Sequence, residues 1–219
     1  WSPDGKFIAS GSRDRRALVW DSETGQILKT LVVHDHNIQA IAWSPDGTRI
    51  ATGSVDNSIG IWDVKTSELI HRIKGHTGGV FAVAWSLDSQ RLASGSLDKT
   101  LRIWNTQTGQ NLGVLYGHQS NISSLAWSPD GKRILSSSWD RQLQVWDAQT
   151  RPHSSSVING YEGDVSSVAW SPDGSKIASG SFDQKVWLWD AQTGTKFQTL
   201  KGHTGGVYSV AWSPDSAQV

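Results

Sequence analysis

Histidine, hydroxyl and aspartate side chains recur together in this sequence at fixed spacing. His34 is followed by Thr52-x-Ser54-x-Asp56, His76 by Ser94-x-Ser96-x-Asp98, and His118 by Ser136-x-Ser138-x-Asp140. A serine or threonine beside an imidazole that a carboxylate orients could act as a nucleophile. The same imidazoles and carboxylates could ligate a metal ion. Either chemistry needs its residues once per molecule, yet these sets return every 42 residues. Repetition on that scale favours a structural role, in which the groups satisfy one another's hydrogen bonds in a dry place.

The elements that must position these residues repeat as well. Trp-Ser-x-Asp occurs at Trp1, Trp43, Trp85, Trp127, Trp170 and Trp212, in steps of 42, 42, 42, 43 and 42. A second tryptophan series falls at Trp20, Trp62, Trp104, Trp146 and Trp189, each followed by Asp or, once, by Asn105. Together the two series use 11 of the 13 tryptophans, so placement of this residue is systematic. The histidines belong to a third series: Val33-His34, Gly75-His76, Gly117-His118, Gly160-Tyr161 and Gly202-His203. The Ser/Thr-x-Ser-x-Asp strings end at Asp14, Asp56, Asp98, Asp140 and Asp183. A sustained period of this length marks a repeat architecture.

Each period holds four short runs that read as strands. In the second period they are 38–43, 48–54, 58–63 and 68–74, rich in β-branched and aromatic residues and bounded by Gly, Pro, Asp or Asn. Between the first two, Pro45 presets φ for a turn and Gly47 can take a positive φ after it. One period is therefore a four-stranded antiparallel meander. Alone it cannot bury both faces, so it must stack on its neighbours.

Gly-His, then Ser/Thr-x-Ser-x-Asp, then Trp-Asp, in register along the whole chain, resembles the WD-repeat family. The resemblance implies an all-β fold, a β-propeller of four-stranded antiparallel blades around a channel. It also implies that His, Ser/Thr, Asp and Trp form a hydrogen-bonded tetrad in each blade. Carried over residue by residue, the complete tetrads are His34-Thr52-Asp56-Trp62, His76-Ser94-Asp98-Trp104 and His118-Ser136-Asp140-Trp146. The close similarity among repeats is like that in the propeller tails of fungal, cyanobacterial and actinobacterial regulatory proteins, which implies that the chain is part of a longer protein.

Departures from the pattern carry expectations of their own. Tyr161 stands where histidine belongs, so Ser179, Asp183 and Trp189 are expected to lack a fourth partner. That period also holds the one extra residue, within 150–157, expected to be the least regular edge. Leu87 and Ser89 replace Pro and Gly in one turn, which is expected to survive. Trp187, outside both tryptophan series, is expected to pack between blades.

Counting strands gives five blade equivalents. Residues 1–31 carry strands two to four of one blade; complete blades follow at 32–74, 75–116, 117–159 and 160–201; residues 207–212 carry a lone first strand. The expectation is a single propeller over 1–219, closed where 207–212 pairs with 6–12 to share the blade of 1–31. An open arc, or pairing between chains into a homo-oligomer, is the alternative.

The resemblance further implies that binding residues cluster on the face that carries the histidine loop. Two positions per blade are favoured, the residue before the tetrad Asp and the second residue of the first strand. They are Arg13, Val55, Leu97, Trp139 and Phe182, and Gln39, Phe81, Ser123, Ser166 and Tyr208. A partner-binding rim is expected at Arg13, Gln39, Val55, Phe81, Leu97, Trp139, Phe182 and Tyr208, where the four aromatics supply the anchors that protein interfaces use. The expected function is a non-catalytic scaffold that binds a protein or peptide. Alternatives are a propeller that binds a small molecule or glycan, or an enzyme in the channel mouth. An enzyme would need unrepeated inward polar residues, and the unrepeated residues here are mostly apolar.

Composition narrows the classes further. Lys+Arg and Asp+Glu are both 20, a formal net charge of zero. That leaves no basic footprint for nucleic acid and no pull toward an anionic membrane. No apolar run reaches the about 18 residues that a spanning helix needs. Cysteine is absent, which removes disulfides and thiolate metal sites and fits a cytoplasmic setting. No phosphate-cradling G-x-x-x-x-G-K-[ST] occurs. The sequence therefore predicts no catalytic residue, no cofactor and no metal.

Overall fold

The computed structural model describes residues 1–148 and 154–219. Among them every regular element is a strand. The chain divides into two compact units, Trp1–Val114 and Leu115–Val219. In the first unit, β1 (Phe7–Gly11), β2 (Arg16–Asp21) and β3 (Ile27–Val32) form a three-stranded sheet. A four-stranded sheet follows, of β4 (Ile38–Trp43), β5 (Arg49–Ser54), β6 (Ser58–Asp63) and β7 (Leu69–Lys74). Another holds β8 (Val80–Trp85), β9 (Arg91–Ser96), β10 (Leu101–Asn105) and β11 (Asn111–Leu115). The second unit has two four-stranded sheets. One is β12 (Ile122–Trp127), β13 (Arg133–Ser138), β14 (Leu143–Asp147) and β15 (Ser154–Ile158). The other is β16 (Val165–Trp170), β17 (Lys176–Ser181), β18 (Val186–Asp190) and β19 (Lys196–Leu200). Pairing is antiparallel between successive strands, so each sheet is a meander.

Strand position explains strand composition. The second strand of each four-stranded sheet is buried at every residue but its first, in β5, β9, β13 and β17 alike. A strand buried on both faces reads as small and aliphatic residues rather than as an apolar–polar alternation. The fourth strand β7 instead alternates between exposed and more buried positions, as an outer strand should. Between strands three and four the register slips just before the tryptophan, at Ile61/Trp62, Val145/Trp146 and Leu188/Trp189. Such bulges add twist and re-aim the side chain that follows.

Successive sheets within a unit share a core. Ala17, Val19 and Leu31 of the first sheet pack with Ile38, Ile50 and Trp62 of the next. Ile59, Ile61 and Ile73 pack with Val80, Trp85 and Leu92. In the second unit, Leu143, Val145 and Ile158 pack with Val165, Val168 and Trp170. The approach is close enough to require glycine. A Cβ on Gly53 would lie 2.8 Å from Cγ1 of Val80 in the following sheet.

The turn with Leu87 and Ser89 is intact. The Ser89 N–H donates to Ser86 O at 2.9 Å, as the Gly47 N–H does to Ser44 O at 2.9 Å. Ser89 holds φ at 58°, a strained value for a residue with a side chain. Its hydroxyl returns something, accepting the backbone N–H of Asp46 at 3.2 Å.

Two expectations end differently. Residues 207–212, expected as a strand, belong to no strand, and the sheet of β1 has three strands. The irregular edge expected over 150–157 falls in part on 150–153, outside the described residues.

Candidate functional site

The structure brings each repeated His, hydroxyl, Asp and Trp together. In the second sheet, His34 Nδ1 meets Asp56 at 3.0 Å and Nε2 meets Thr52 Oγ1 at 2.7 Å, while Trp62 Nε1 donates to Thr52 at 3.1 Å. In the third, the distances for His76 to Asp98 and Ser94, and for Trp104 to Ser94, are 2.9, 2.7 and 2.7 Å. In the fourth they are 2.8, 2.7 and 2.8 Å for His118, Asp140, Ser136 and Trp146. One proton assignment satisfies every group: the indole donates to the hydroxyl, the hydroxyl to Nε2, and Nδ1–H to the carboxylate. The backbone N–H after each histidine, of Asp35, Thr77 or Gln119, donates to the same carboxylate oxygen. The loop before the first strand is thereby tied to the sheet.

The connectivity of a hydrolytic triad is present, but its access is not. Thr52, Ser94 and Ser136 are fully buried, and each hydroxyl already holds an indole and an imidazole. No carbonyl carbon can reach them. Electrostatics follow from the same burial. Desolvation pushes the His34 imidazole down, against the pull of Asp56, so its neutral form is favoured. Burial works to raise Asp56 and Asp98. Hydrogen bonds prevail and hold both well below the usual carboxylate range, from Ser58 and the Asp35 N–H for Asp56, and from His76 and Thr100 for Asp98. Asp140 is lowered too, chiefly by His118 against its own desolvation.

The fifth sheet solves the same problem with other residues. Tyr161 replaces histidine, and its hydroxyl reaches Ser179 Oγ at 2.5 Å, where Trp189 Nε1 also donates at 3.0 Å. The set does not lack a partner, because a phenol is long enough to reach the hydroxyl. A phenol cannot also serve Asp183, and Trp187 does so, donating its indole N–H at 3.1 Å. Trp187 stacks on Trp189 with centroids 5.9 Å apart and meets Tyr161 edge-on at 5.3 Å. Packing was the role its sequence position suggested; the donor role was invisible there. In the first sheet Trp20 donates to Ser10 at 2.7 Å, and Asp14 is engaged by Arg16 at 2.8 Å.

The rim positions lie at one end of the sheets. In the first unit Arg13 and Gln39 are exposed, and Val55, Phe81 and Leu97 are half-buried. The last three gather around Gly79, where an added Cβ would lie 3.2 to 3.6 Å from each. In the second unit, Trp139, Phe182 and Tyr208 are 38%, 39% and 76% exposed. Phe182 meets Tyr208 edge-to-face with centroids 5.3 Å apart. Ser123 and Ser166 are spent on structure: their hydroxyls donate to the carbonyls of Val165 and Val207, which ties β12 to β16 and β16 to the segment 207–212. The backbone fixes the aromatic tips, because the N–H of Trp139 donates to Asn121 O and that of Phe182 to Asp164 O.

Sequence reasoning missed a second repeated device. Arg49 lies 5.1 Å over Trp85 and donates to Ser89 O at 2.8 Å and Thr106 Oγ1 at 3.1 Å. Arg133 lies 4.8 Å over Trp170 and donates to Ala191 O at 2.9 Å. Lys176 sits 5.7 Å over Trp212. A basic residue at the start of β5, β13 and β17 thus sits over the tryptophan of the following repeat. The period of Arg49, Arg91, Arg133 and Lys176 was the available signal.

Comparison with known proteins gives one family. The family described as WD domain, G-beta repeat matches residues 1–21, 25–63, 67–105, 109–147, 153–190 and 194–219. Similar stretches occur in the nuclear distribution protein PAC1 of Mycosarcoma maydis, 50% identical over 38 residues, which is 17% of this chain and 8% of that protein. The Coprinopsis cinerea protein of the same name is 45% identical over 38 residues, 17% of this chain and 9% of its own length. The U5 small nuclear ribonucleoprotein 40 kDa protein of Pongo abelii is 48% identical over 42 residues, 19% of this chain and 12% of its own. Each match spans about one repeat, a small part of either chain.

Proposed function

Because this chain belongs to the WD-repeat family, whose repeats typically build protein-interaction scaffolds, we propose that it is a non-catalytic platform for a protein or peptide. The loop ends of its sheets are the binding face. One observation carries the reading: Trp139, Phe182 and Tyr208 stand on adjacent repeats with apolar surface in solvent, and backbone hydrogen bonds fix the tips that carry Trp139 and Phe182. Rigid aromatic side chains of this kind contribute large contact area at little entropic cost. In the first unit, Arg13, Gln39, Val55, Phe81 and Leu97 occupy the matching repeat positions and are proposed as that unit's own binding surface. The buried tetrads support the non-catalytic part, since their hydroxyls are closed to substrate. A cytoplasmic setting is part of the proposal.

The test is selection of a random peptide display library on the immobilised chain. Selected peptides should lose binding at least tenfold to the triple variant Trp139→Ala, Phe182→Ala, Tyr208→Ala, with an unchanged thermal midpoint. Peptides that bind the variant as well as the parent would reject this face.

A further inference from the structure

The formal net charge of zero hides a separation of charge within the first unit. At the end of its sheets that carries the histidine loops, residues 12–16, 33–37, 54–58, 72–78 and 96–102 hold seven Lys and Arg against four Asp. At the other end, residues 2–6, 21–26, 44–49, 63–68, 86–91 and 105–110 hold four Lys and Arg against seven Asp and Glu. The two ends therefore carry fields of opposite sign. Resting on the platform reading above, we propose that the histidine-loop end of this unit binds an acidic peptide. Arg13, Arg15, Lys74 and Lys99 take its carboxylates, and Val55, Phe81 and Leu97 take an apolar side chain between them.

Internal pairing leaves the cations over. All four carboxylates at this end are engaged: Asp14 holds Arg16 at 2.8 Å, Asp35 holds Arg72 at 2.5 Å, and Asp56 and Asp98 hold His34 and His76. Arg13, Arg15, Lys74 and Lys99 are exposed, and among the described residues their side chains make no hydrogen bond or ion pair. Arg102 adds a cation beside Gly75, and its Nε is buried without a partner.

Backbone conformation points the same way. Arg15, Asn57 and Lys99 hold equivalent places in the hairpins of three successive sheets, with φ at 73°, 68° and 69°. Their N–H groups close these turns on the carbonyls of Ser12, Ser54 and Ser96. Asparagine tolerates that region far better than arginine or lysine does. Two of the three hairpins thus place a charged side chain where the local fold favours asparagine. No internal hydrogen bond or ion pair of Arg15 or Lys99 offsets that strain, and strain of this kind is retained at binding sites.

A peptide fits this surface better than a nucleic acid. Val55, Phe81 and Leu97 gather around Gly79, and in sheet order they fall between the arginines of the first sheet and Lys99 of the third. That apolar centre interrupts the cations, whereas a phosphate backbone offers charge at every step. An acidic peptide with an apolar side chain among its carboxylates complements both parts.

Selection from a random peptide display library tests this, with the Trp139→Ala, Phe182→Ala, Tyr208→Ala chain as bait so that the second unit's aromatics take no part. The selected pool should be at least twofold richer in Asp and Glu than the input. Its peptides should weaken at least tenfold in 1 M sodium chloride, where the Debye length is about 3 Å. Adding Arg15→Asn and Lys99→Asn to the bait removes two charges at positions where asparagine is at ease, so the thermal midpoint should not fall while the peptides lose at least tenfold in affinity. A bait that selects no peptide, a pool no more acidic than the input, or acidic peptides that bind the asparagine variant equally well overturns the proposal. So does a random DNA oligonucleotide that binds the bait more tightly than every selected peptide, which would assign the cations to nucleic acid. The platform reading is judged separately, by the second unit's aromatics in the parent chain.

Discussion

The indole of Trp187 donates to the carboxylate of Asp183 at 3.1 Å, in a sheet where tyrosine has displaced the imidazole that other sheets use. Two substitutions act as one here. Tyr161 takes over the hydroxyl half of the histidine's work, and Trp187 takes over the carboxylate half. Trp187→Phe keeps the ring stack on Trp189 and deletes only the donor. It should lower stability by about 1–3 kcal/mol by leaving Asp183 short of a partner. Restoring an imidazole with Tyr161→His should make the same Trp187→Phe change milder. A double-mutant cycle by urea denaturation reads the coupling; additive effects would show that the two residues do not share the task.

Removing a tetrad carboxylate tests the regular sets. Asp98 holds His76 Nδ1, the Thr77 N–H and the Thr100 hydroxyl. Asp98→Ala strands all three, and the imidazole is buried. The expected loss is about 1–3 kcal/mol in the urea midpoint, with β8 to β11 exchanging amide protons fastest. A neutral result would mean that the His76 loop is held by packing alone.

The period, the four-strand meander and the grouping of the tetrads were legible because each rests on residue types at fixed spacing. Trp62 reaches Thr52 wherever the register of β5 and β6 is kept. What stayed hidden depends on reach. That Tyr161 meets Ser179, and Trp187 meets Asp183, follows from side-chain length and the bulge before Trp189, neither of which a repeat pattern encodes. Ser123 and Ser166 matched rim positions by spacing, yet neighbouring carbonyls claim their hydroxyls. The fate of residues 207–212 was hidden for another reason: strand-forming composition states a preference, and a ladder needs a partner.

Acid should unfold the protein in two stages. The His34 imidazole is held below its ordinary 6.5 in the fold, so the unfolded chain takes up that proton first. Its contribution is complete above pH 6.5 and is lost as pH falls below it. Asp56, Asp98 and Asp140 are held below their ordinary 3.8, so theirs is complete above that value and is lost progressively as pH falls from it toward their lower values in the fold. Urea midpoints at pH 7.5, 5.5 and 3 should decline at each step, most steeply at the last. His34→Gln should flatten the upper step and leave the lower one. An unchanged upper step would assign it to another group.

The clamp of arginine on the next tryptophan predicts that lysine is a poor replacement. Arg49 spreads over Trp85 at 5.1 Å and at the same time sends separate N–H groups to Ser89 O and Thr106 Oγ1. Lysine carries the charge as a point on a flexible stem and cannot stack and fork together. Arg49→Lys should therefore cost about 1 kcal/mol, and Arg49→Ala about 2 kcal/mol because the ring face is also uncovered. Salt separates this from a surface charge effect. Arg49 is 13% exposed along its side chain, so the Arg49→Lys loss should persist in 1 M sodium chloride, where the Debye length is about 3 Å. A loss that salt abolishes would reduce the clamp to the ion pair with Asp46, whose carboxylate lies 3.6 Å away.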